Sequence, residues 1–225
     1  MNKFDFKSYN MKKIIGFFLA LLPFSFCAKE KSVILPKSIE TKDMEIQNGM
    51  EVATFAGGCF WCTEAVFLEL DGVSKVVSGY IGGNTVNPTY QEISTGETGH
   101  AEAIEITFDP NKISFGELLE IFFATHDPTT LNRQGNDIGT QYRSEIFYHN
   151  PFQKQLSEDY MALMATENTF GKPIVTKVSP ANKFYVAEDY HQNYYNQNKT
   201  QGYCSYVITP KIDKLKKLYQ DKLKK

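Results

Sequence analysis

The sequence predicts an α+β fold: a two-layer sandwich of a mixed sheet with flanking helices. Three observations predict it. Short stretches with period-two alternation of apolar residues alternate with stretches of helical spacing, and some pair up as hairpin-like pieces. The 225 residues, 42% hydrophobic and 14% aromatic, suffice for one substantial core. Four cysteines are too few to staple a chain of this size, and there is no internal repeat.

Residues 1–28 read as a leader rather than as part of the fold. Lys12 and Lys13 precede an apolar run that ends at Phe26, the pattern of a secretory signal. Met11 is an alternative start. Cys27 leaves two outcomes open: cleavage before it with acylation of its thiol, or plain cleavage near Cys27 or Ala28. Either outcome makes the protein exported, periplasmic or a membrane-anchored lipoprotein, rather than cytoplasmic, and export favours oxidising surroundings. No stretch is long and apolar enough for an ordinary spanning helix. Residues 29–50, rich in Lys, Glu and Ser without a sustained period, read as a linker. One catalytic domain is expected over residues 51–225.

In that domain Glu51 to Ala56 reads as a strand, ended by Gly57-Gly58. Residues 63–72 have helical spacing and stop at Gly72. Cys59 therefore lies at a strand-to-helix turn. Val73 to Tyr80 is the next strand, and residues 81–99, rich in Gly, Asn, Thr and Pro, form a long loop. Ala101 to Phe108 alternates as a strand and ends at Asp109-Pro110. Ser114 with Glu117 forms a capping box that opens a helix to Ala124. A polar loop over 126–140 leads to a strand from Tyr142 to Tyr148. Asn150 as cap and Pro151 at the first helical position start a helix to about Asn168. Ile174 to Val178 reads as a strand, aromatic-rich Lys183 to Gln197 as a helix, and Thr209-Pro210 opens a last helix with a solvated Lys-rich face.

The run Phe55-Ala-Gly-Gly-Cys59-Phe60-Trp61-Cys62 carries the chemistry. Only a thiolate attacks, and the free N–H groups and partial positive charge of a helix N-terminus favour that anion. The two glycines are expected to leave the Cys59 sulfur open to substrate, with Phe60 and Trp61 as an apolar wall beside it. Cys59 and Cys62 also form a Cys-x-x-Cys pair, the pattern of a dithiol redox motif. The aromatic residue falls inside the pair rather than before it. No second Cys-x-x-Cys or paired His motif completes a zinc tetrahedron. Glu102 shares a strand face with Ile104, whereas Glu105 takes the other face. It should point to the apolar side, where a carboxyl stays protonated near neutral pH and serves as an acid. A formal net charge of −2 gives no argument for nucleic acid.

Several ordered segments resemble one family: Gly57-Gly-Cys-Phe-Trp61, Gly79-Tyr-Ile-Gly-Gly83, Asn87-Pro-Thr-Tyr90, Thr98-Gly-His-Ala-Glu102, Asn136-Asp-Ile-Gly-Thr-Gln-Tyr-Arg143 and Ala187-Glu-Asp-Tyr-His-Gln192. From about Val52 to Tyr203 the chain resembles the peptide-methionine (S)-S-oxide reductases, the A-type methionine sulfoxide reductases. The resemblance implies a ferredoxin-like plait and Cys59 as the nucleophile on the sulfoxide sulfur. It implies Phe60 and Trp61 as the cage for the S-methyl group and Glu102 as the acid on the sulfoxide oxygen. Tyr90 and Tyr142 become hydroxyl donors to that oxygen, and Asp137 a polar residue ordering the site. The oxidised cysteine passes from sulfenic acid to a disulfide, recycled by thioredoxin or a thioredoxin-like reductant, with no metal or organic cofactor. Cys204 matches the usual resolving position. Cys62 stands where many relatives have glycine, and both thiols are retained as resolving residues, with Cys204 preferred. We expect a monomer.

Two rivals belong to other classes. A general thiol–disulfide oxidoreductase would use Cys59 and Cys62 and need none of Glu102, Tyr90 or Tyr142. A non-catalytic exported binding module would use the aromatic residues only to capture apolar groups.

Overall fold

In the computed structural model, which describes residues 49–225, the first strand β1 (Glu51–Gly57) is buried along its last five residues. It has neighbours on both edges. The leader over 1–28 and nearly all of the linker over 29–50 lie outside the described residues. After β1 come α1 (Phe60–Leu68), β2 (Val73–Ile81), α2 (Tyr90–Ser94), β3 (Ala101–Phe108) and α3 (Phe115–Thr125). The hairpin of β4 (Arg133–Gln134) and β5 (Asp137–Ile138) precedes β6 (Ser144–Tyr148) and α4 (Pro151–Thr166). Then follow β7 (Lys177–Pro180), β8 (Tyr185–Val186), α5 (Tyr194–Gln197) and α6 (Thr209–Leu218).

The main sheet has six strands in the order β7-β6-β1-β3-β2-β8. Its four inner strands pair antiparallel throughout. The units β1-α1-β2 and β3-α3-β6 each bridge across a strand of the other, which is the ferredoxin-like plait. β7 joins β6 in parallel and makes the sheet mixed. Phe55, Ile104, Ile106, Phe67, Leu118 and Phe122 fill the main core, with the Phe55 and Phe122 rings stacked at 4.8 Å. The opposite face carries a smaller cluster of Ala56, Ile81, Ala101, Ala103 and Phe147. Register places Glu102 opposite Tyr80 and Ile104 opposite Ser78. Glu102 thus shares the core face, as the alternation predicts.

Local signals hold where the backbone satisfies itself. Ser114 accepts the Glu117 N–H while Glu117 accepts the Ser114 N–H, closing the expected capping box. Asn150 caps α4 through the Gln153 N–H, with Pro151 first in the helix.

Five expectations need correction. α1 starts at Phe60, three residues earlier than its apolar spacing suggests. The loop over 81–99 contains α2, with its own capping box from Thr89 and Glu92, and the loop over 126–140 contains the β4-β5 hairpin. The strand expected at Ile174–Val178 sits at Lys177–Pro180. Lys183 to Gln197 is not one helix. Tyr185 and Val186 pair with β2, Asn193 adopts a left-handed backbone (φ 51°), and the Glu64 carboxylate takes the N–H groups of Asn193 and Tyr194. Tertiary partners take donors that a helical ladder would have used.

Replacing Ser114 with Ala removes one side of a closed capping box. We expect unfolding stability to fall by about 1 kcal/mol with an unchanged denaturant slope, read from urea unfolding midpoints.

Candidate active site

Cys59 is the residue that caps the N-terminus of α1, and its side chain makes no capping bond. The first helical N–H, that of Phe60, has no partner within the helix, and it donates to Glu102 Oε2 at 3.0 Å. A carboxyl from the second residue of β3 thus satisfies this helix N-terminus. Glu102 is only 2% exposed. Burial, opposed by the Phe60 bond and assisted by the charges of Asp137 and Cys62, raises its pKa to about 8. The carboxyl is mostly protonated near pH 7.

The two glycines work differently from the expectation. Gly58 takes a left-handed conformation (φ 92°), and a Cβ there would stand 2.5 Å from Gln134 carbons. A Cβ on Gly57 would meet the Phe122 ring at 2.8 Å. They allow close packing of the turn rather than holding an open approach to sulfur; Cys59 is 7% exposed.

The Cys59 and Cys62 thiols are hydrogen-bonded to one another. They act as one coupled pair that gives up its first proton near neutrality. The bond from Cys59 pulls Cys62 down to about 7, against burial and with help from the positive charge of Lys211. Burial, the bond to Cys62 and the Glu102 charge push Cys59 well up. Helix position alone suggested an isolated Cys59 thiolate; the neighbouring Cys62 thiol instead makes the first ionisation a property of the pair.

The other residues singled out in the sequence converge here. Burial, then the charges of Glu102 and Cys59, push the Tyr90 phenol up to about 12. The same causes, with burial first, raise Tyr142, so both hydroxyls keep their protons. Asp137, on β5, accepts from the Tyr203 hydroxyl at 2.7 Å, and that hydroxyl lies 3.6 Å from Cys62 Sγ. Phe60 is fully buried against Tyr80, whereas Trp61 is half-buried at the rim. Cys204, 0% exposed, packs in the same cluster as Cys59 and Cys62.

Sequence reasoning gave three neighbours no role at the site. Tyr194 stacks flat on Trp61, with centroids 3.7 Å apart. Trp61 Nε1 donates to His191 Nδ1 at 3.1 Å, which puts the ring proton on Nε2. Burial lowers the His191 pKa, so the ring is neutral. Glu188 binds the Tyr80 hydroxyl and the Tyr90 N–H, tying α2 to the sheet. These partners lie about a hundred or more residues apart in the chain, beyond any periodic signal. His100, by contrast, is structural: Gly83 N–H donates to its Nδ1 and its Nε2 bonds the Thr85 carbonyl. Among the described residues no group of three His, Cys, Asp or Glu converges as a metal site.

The sequence pattern of the family described as "Peptide methionine sulfoxide reductase" matches residues 51–223. A protein named peptide methionine sulfoxide reductase MsrA from Deinococcus radiodurans is 60% identical over 174 residues, covering 77% of this chain and 84% of that protein. Methionine sulfoxide reductase A of Corynebacterium diphtheriae superposes with a TM-score of 0.62 at 38% identity, covering 72% of this chain and 81% of the other. Mxr1 from Saccharomyces cerevisiae in reduced form gives 0.63 at 32%, covering 70% and 91%.

Burial of Glu102 has a consequence for stability. Its folded pKa, about 8, stands above its ordinary 4.5, so between those values the folded chain holds a proton that the unfolded chain has lost. The contribution of this group is full below 4.5 and is lost as pH rises through about 8. Glu102→Gln escapes that loss. Urea unfolding of both proteins should show the variant gaining on the wild type as pH rises across this window. A constant difference would contradict the burial argument.

Proposed function

This chain belongs to the peptide methionine sulfoxide reductase family and is an oxidoreductase that reduces methionine sulfoxide to methionine; we propose that Cys59 is its nucleophile and Glu102 its acid. The observation that carries this assignment is the Phe60 N–H bond to a buried, protonated Glu102 beside the Cys59 sulfur.

Sulfoxide oxygen leaves poorly until it is protonated. The Phe60 N–H occupies Oε2 of Glu102, so Oε1 is the oxygen to carry the acid proton toward substrate. Tyr90 and Tyr142, both with retained protons, hold the same oxygen. The substrate methyl group lies against Phe60 and Trp61, and the Tyr194 stack and His191 bond fix the indole plane. Proton transfer within the thiol pair lets Cys59 attack as thiolate. Attack joins the Cys59 sulfur to the substrate sulfur. The protonated oxygen then passes to Cys59 as the substrate's sulfur–oxygen bond and the new sulfur–sulfur bond break. Methionine leaves with the electron pair, and Cys59 is oxidised to a sulfenic acid. A neighbouring thiol condenses with it, releasing water and forming an intramolecular disulfide. A thioredoxin-like dithiol then reduces that disulfide. If the leader exports the chain, this reductant acts outside the cytoplasm.

Simple thiol–disulfide exchange would leave Glu102, Tyr90 and Tyr142 idle, and their electrostatic convergence on Cys59 weighs against it.

Resolved diastereomers of methionine sulfoxide with dithiothreitol test the reading. We expect turnover of the S form alone; equal turnover of both forms would refute the proposed stereochemistry. Cys59→Ser should abolish activity, and Glu102→Gln should lower kcat/KM by about a hundredfold. The wild-type pH profile should be bell-shaped. It should rise as the thiol pair loses its first proton near 7 and fall as Glu102 loses its proton near 8. A profile that keeps its alkaline limb in Glu102→Gln would assign that limb to another group.

A further inference from the structure

Resting on the sulfoxide reductase reading, we propose that Glu188 is a positioning residue for the reaction. It sets where the Tyr90 hydroxyl meets the sulfoxide oxygen, with both of its own carboxylate oxygens already engaged by the protein.

Three contacts support this, and all of them end at Tyr90. The first is a helix start. Tyr90 opens α2, and the capping box of Thr89 and Glu92 serves the N–H groups of Glu92 and Thr89. The N–H of Tyr90 itself has no partner within the helix. Glu188 Oε1 accepts it at 2.9 Å, from 98 residues further along the chain. The second is an anchor. Glu188 Oε2 accepts the Tyr80 hydroxyl at 2.8 Å. Tyr80 is buried on β2, opposite Glu102 in register, with its ring against Phe60. The carboxylate therefore ties the start of α2 to the strand beside the acid. The third is His191. Its backbone N–H bonds the Glu188 carbonyl at 2.9 Å, and its ring centroid lies 4.4 Å from that of Tyr90. Its Nε2 is buried, has no hydrogen-bond partner among the described residues and stands 3.9 Å from Glu188 Oε2. The Trp61 indole occupies Nδ1, so Nε2 carries the ring proton, and the carboxylate charge favours that orientation. The ring so held is a wall beside Tyr90.

Two carboxyls thus complete two helix starts around one substrate, and their surroundings give them different tasks. Glu102 is buried with a single N–H donor and keeps its proton. Glu188 is half-buried. Burial acts on it too, but the Tyr90 N–H, the Glu188 N–H and the Tyr80 hydroxyl outweigh burial and hold its pKa below the ordinary value. It is ionised at neutral pH and cannot serve as a second acid. Its effect is geometric: a hydroxyl that must reach one oxygen at hydrogen-bond distance loses most of its value when its helix start drifts by about 1 Å.

The test is a double-mutant cycle between Glu188 and Tyr90 in the full, reduced chain. Single-turnover formation of methionine from an S-sulfoxide peptide gives the rate constant at saturation and the half-saturating concentration. Glu188→Ala should lower that rate constant by about tenfold and move the half-saturating concentration by less than about twofold. Glu188→Gln, whose amide oxygen still accepts the Tyr90 N–H, should recover to within about threefold of wild type. In Tyr90→Phe no hydroxyl remains to place, so adding Glu188→Ala should cost less than about twofold more. Urea midpoints establish that each variant is folded. Should Glu188→Ala fail to fold, the smaller loss in Glu188→Gln must vanish in Tyr90→Phe in the same way. A loss in the Tyr90→Phe background equal to that in wild type overturns the proposal, as does a wild-type rate in folded Glu188→Ala. In both of these outcomes wild type still forms methionine, so the sulfoxide reductase reading survives. Absence of methionine from wild type overturns that reading and the role of Glu188 with it.

Discussion

The hydrogen bond from the Phe60 N–H to Glu102 is the constraint on which the site depends. A helix must find partners for its first N–H groups, and a buried carboxyl must find a donor or stay neutral. Here each meets the need of the other. The bond fixes the start of α1 against the start of β3, and so fixes the distance between sulfur and acid without any flexible loop. One N–H is too little to stabilise a full negative charge in that environment, so Glu102 remains largely protonated at neutral pH. A stronger set of donors would have capped the helix as well but would have removed the acid.

The sheet makes that arrangement rigid. β3 lies between β1 and β2, the strands on either side of α1 in sequence. Cys59 and Glu102 are therefore tied through two independent backbone routes, the β1-β3 ladder and the helix cap. The remaining parts arrive from connections: Tyr90 on α2, Asp137 on a short hairpin, His191 and Tyr203 from the C-terminal segment. Rigid elements hold the reacting atoms, and loops supply the groups that receive the substrate.

Much of this was legible in the residues, for a physical reason. The capping boxes, the Asn-Pro helix start and the alternation that buries Glu102 are local rules, settled within a few residues. The Phe-Trp-Cys turn was legible as a nucleophile site for the same reason. What could not be read depends on partners far along the chain. The stretch Lys183 to Gln197 looked helical by its aromatic content, but Tyr185 pairs with β2, Tyr194 stacks on Trp61, and the Asn193 and Tyr194 N–H groups go to Glu64. The ionisation of Cys59 could not be read from its helix terminus alone, because burial and the neighbouring Cys62 thiol also act on it. The tie between Trp61 and His191 spans 130 residues.

The Glu64 carboxylate has an implication for how the molecule comes into being. It lies on α1, near the front of the domain, and it accepts the backbone N–H groups of Asn193 and Tyr194, near the back. During vectorial synthesis, α1 can form long before those residues leave the ribosome. Until they do, one acid on its inner face lacks its two backbone donors, and the indole three residues earlier lacks the Tyr194 ring. The nucleophile helix is thus completed by about the last seventh of the translated chain, which delays a reactive thiol until the rest of the fold is present to contain it.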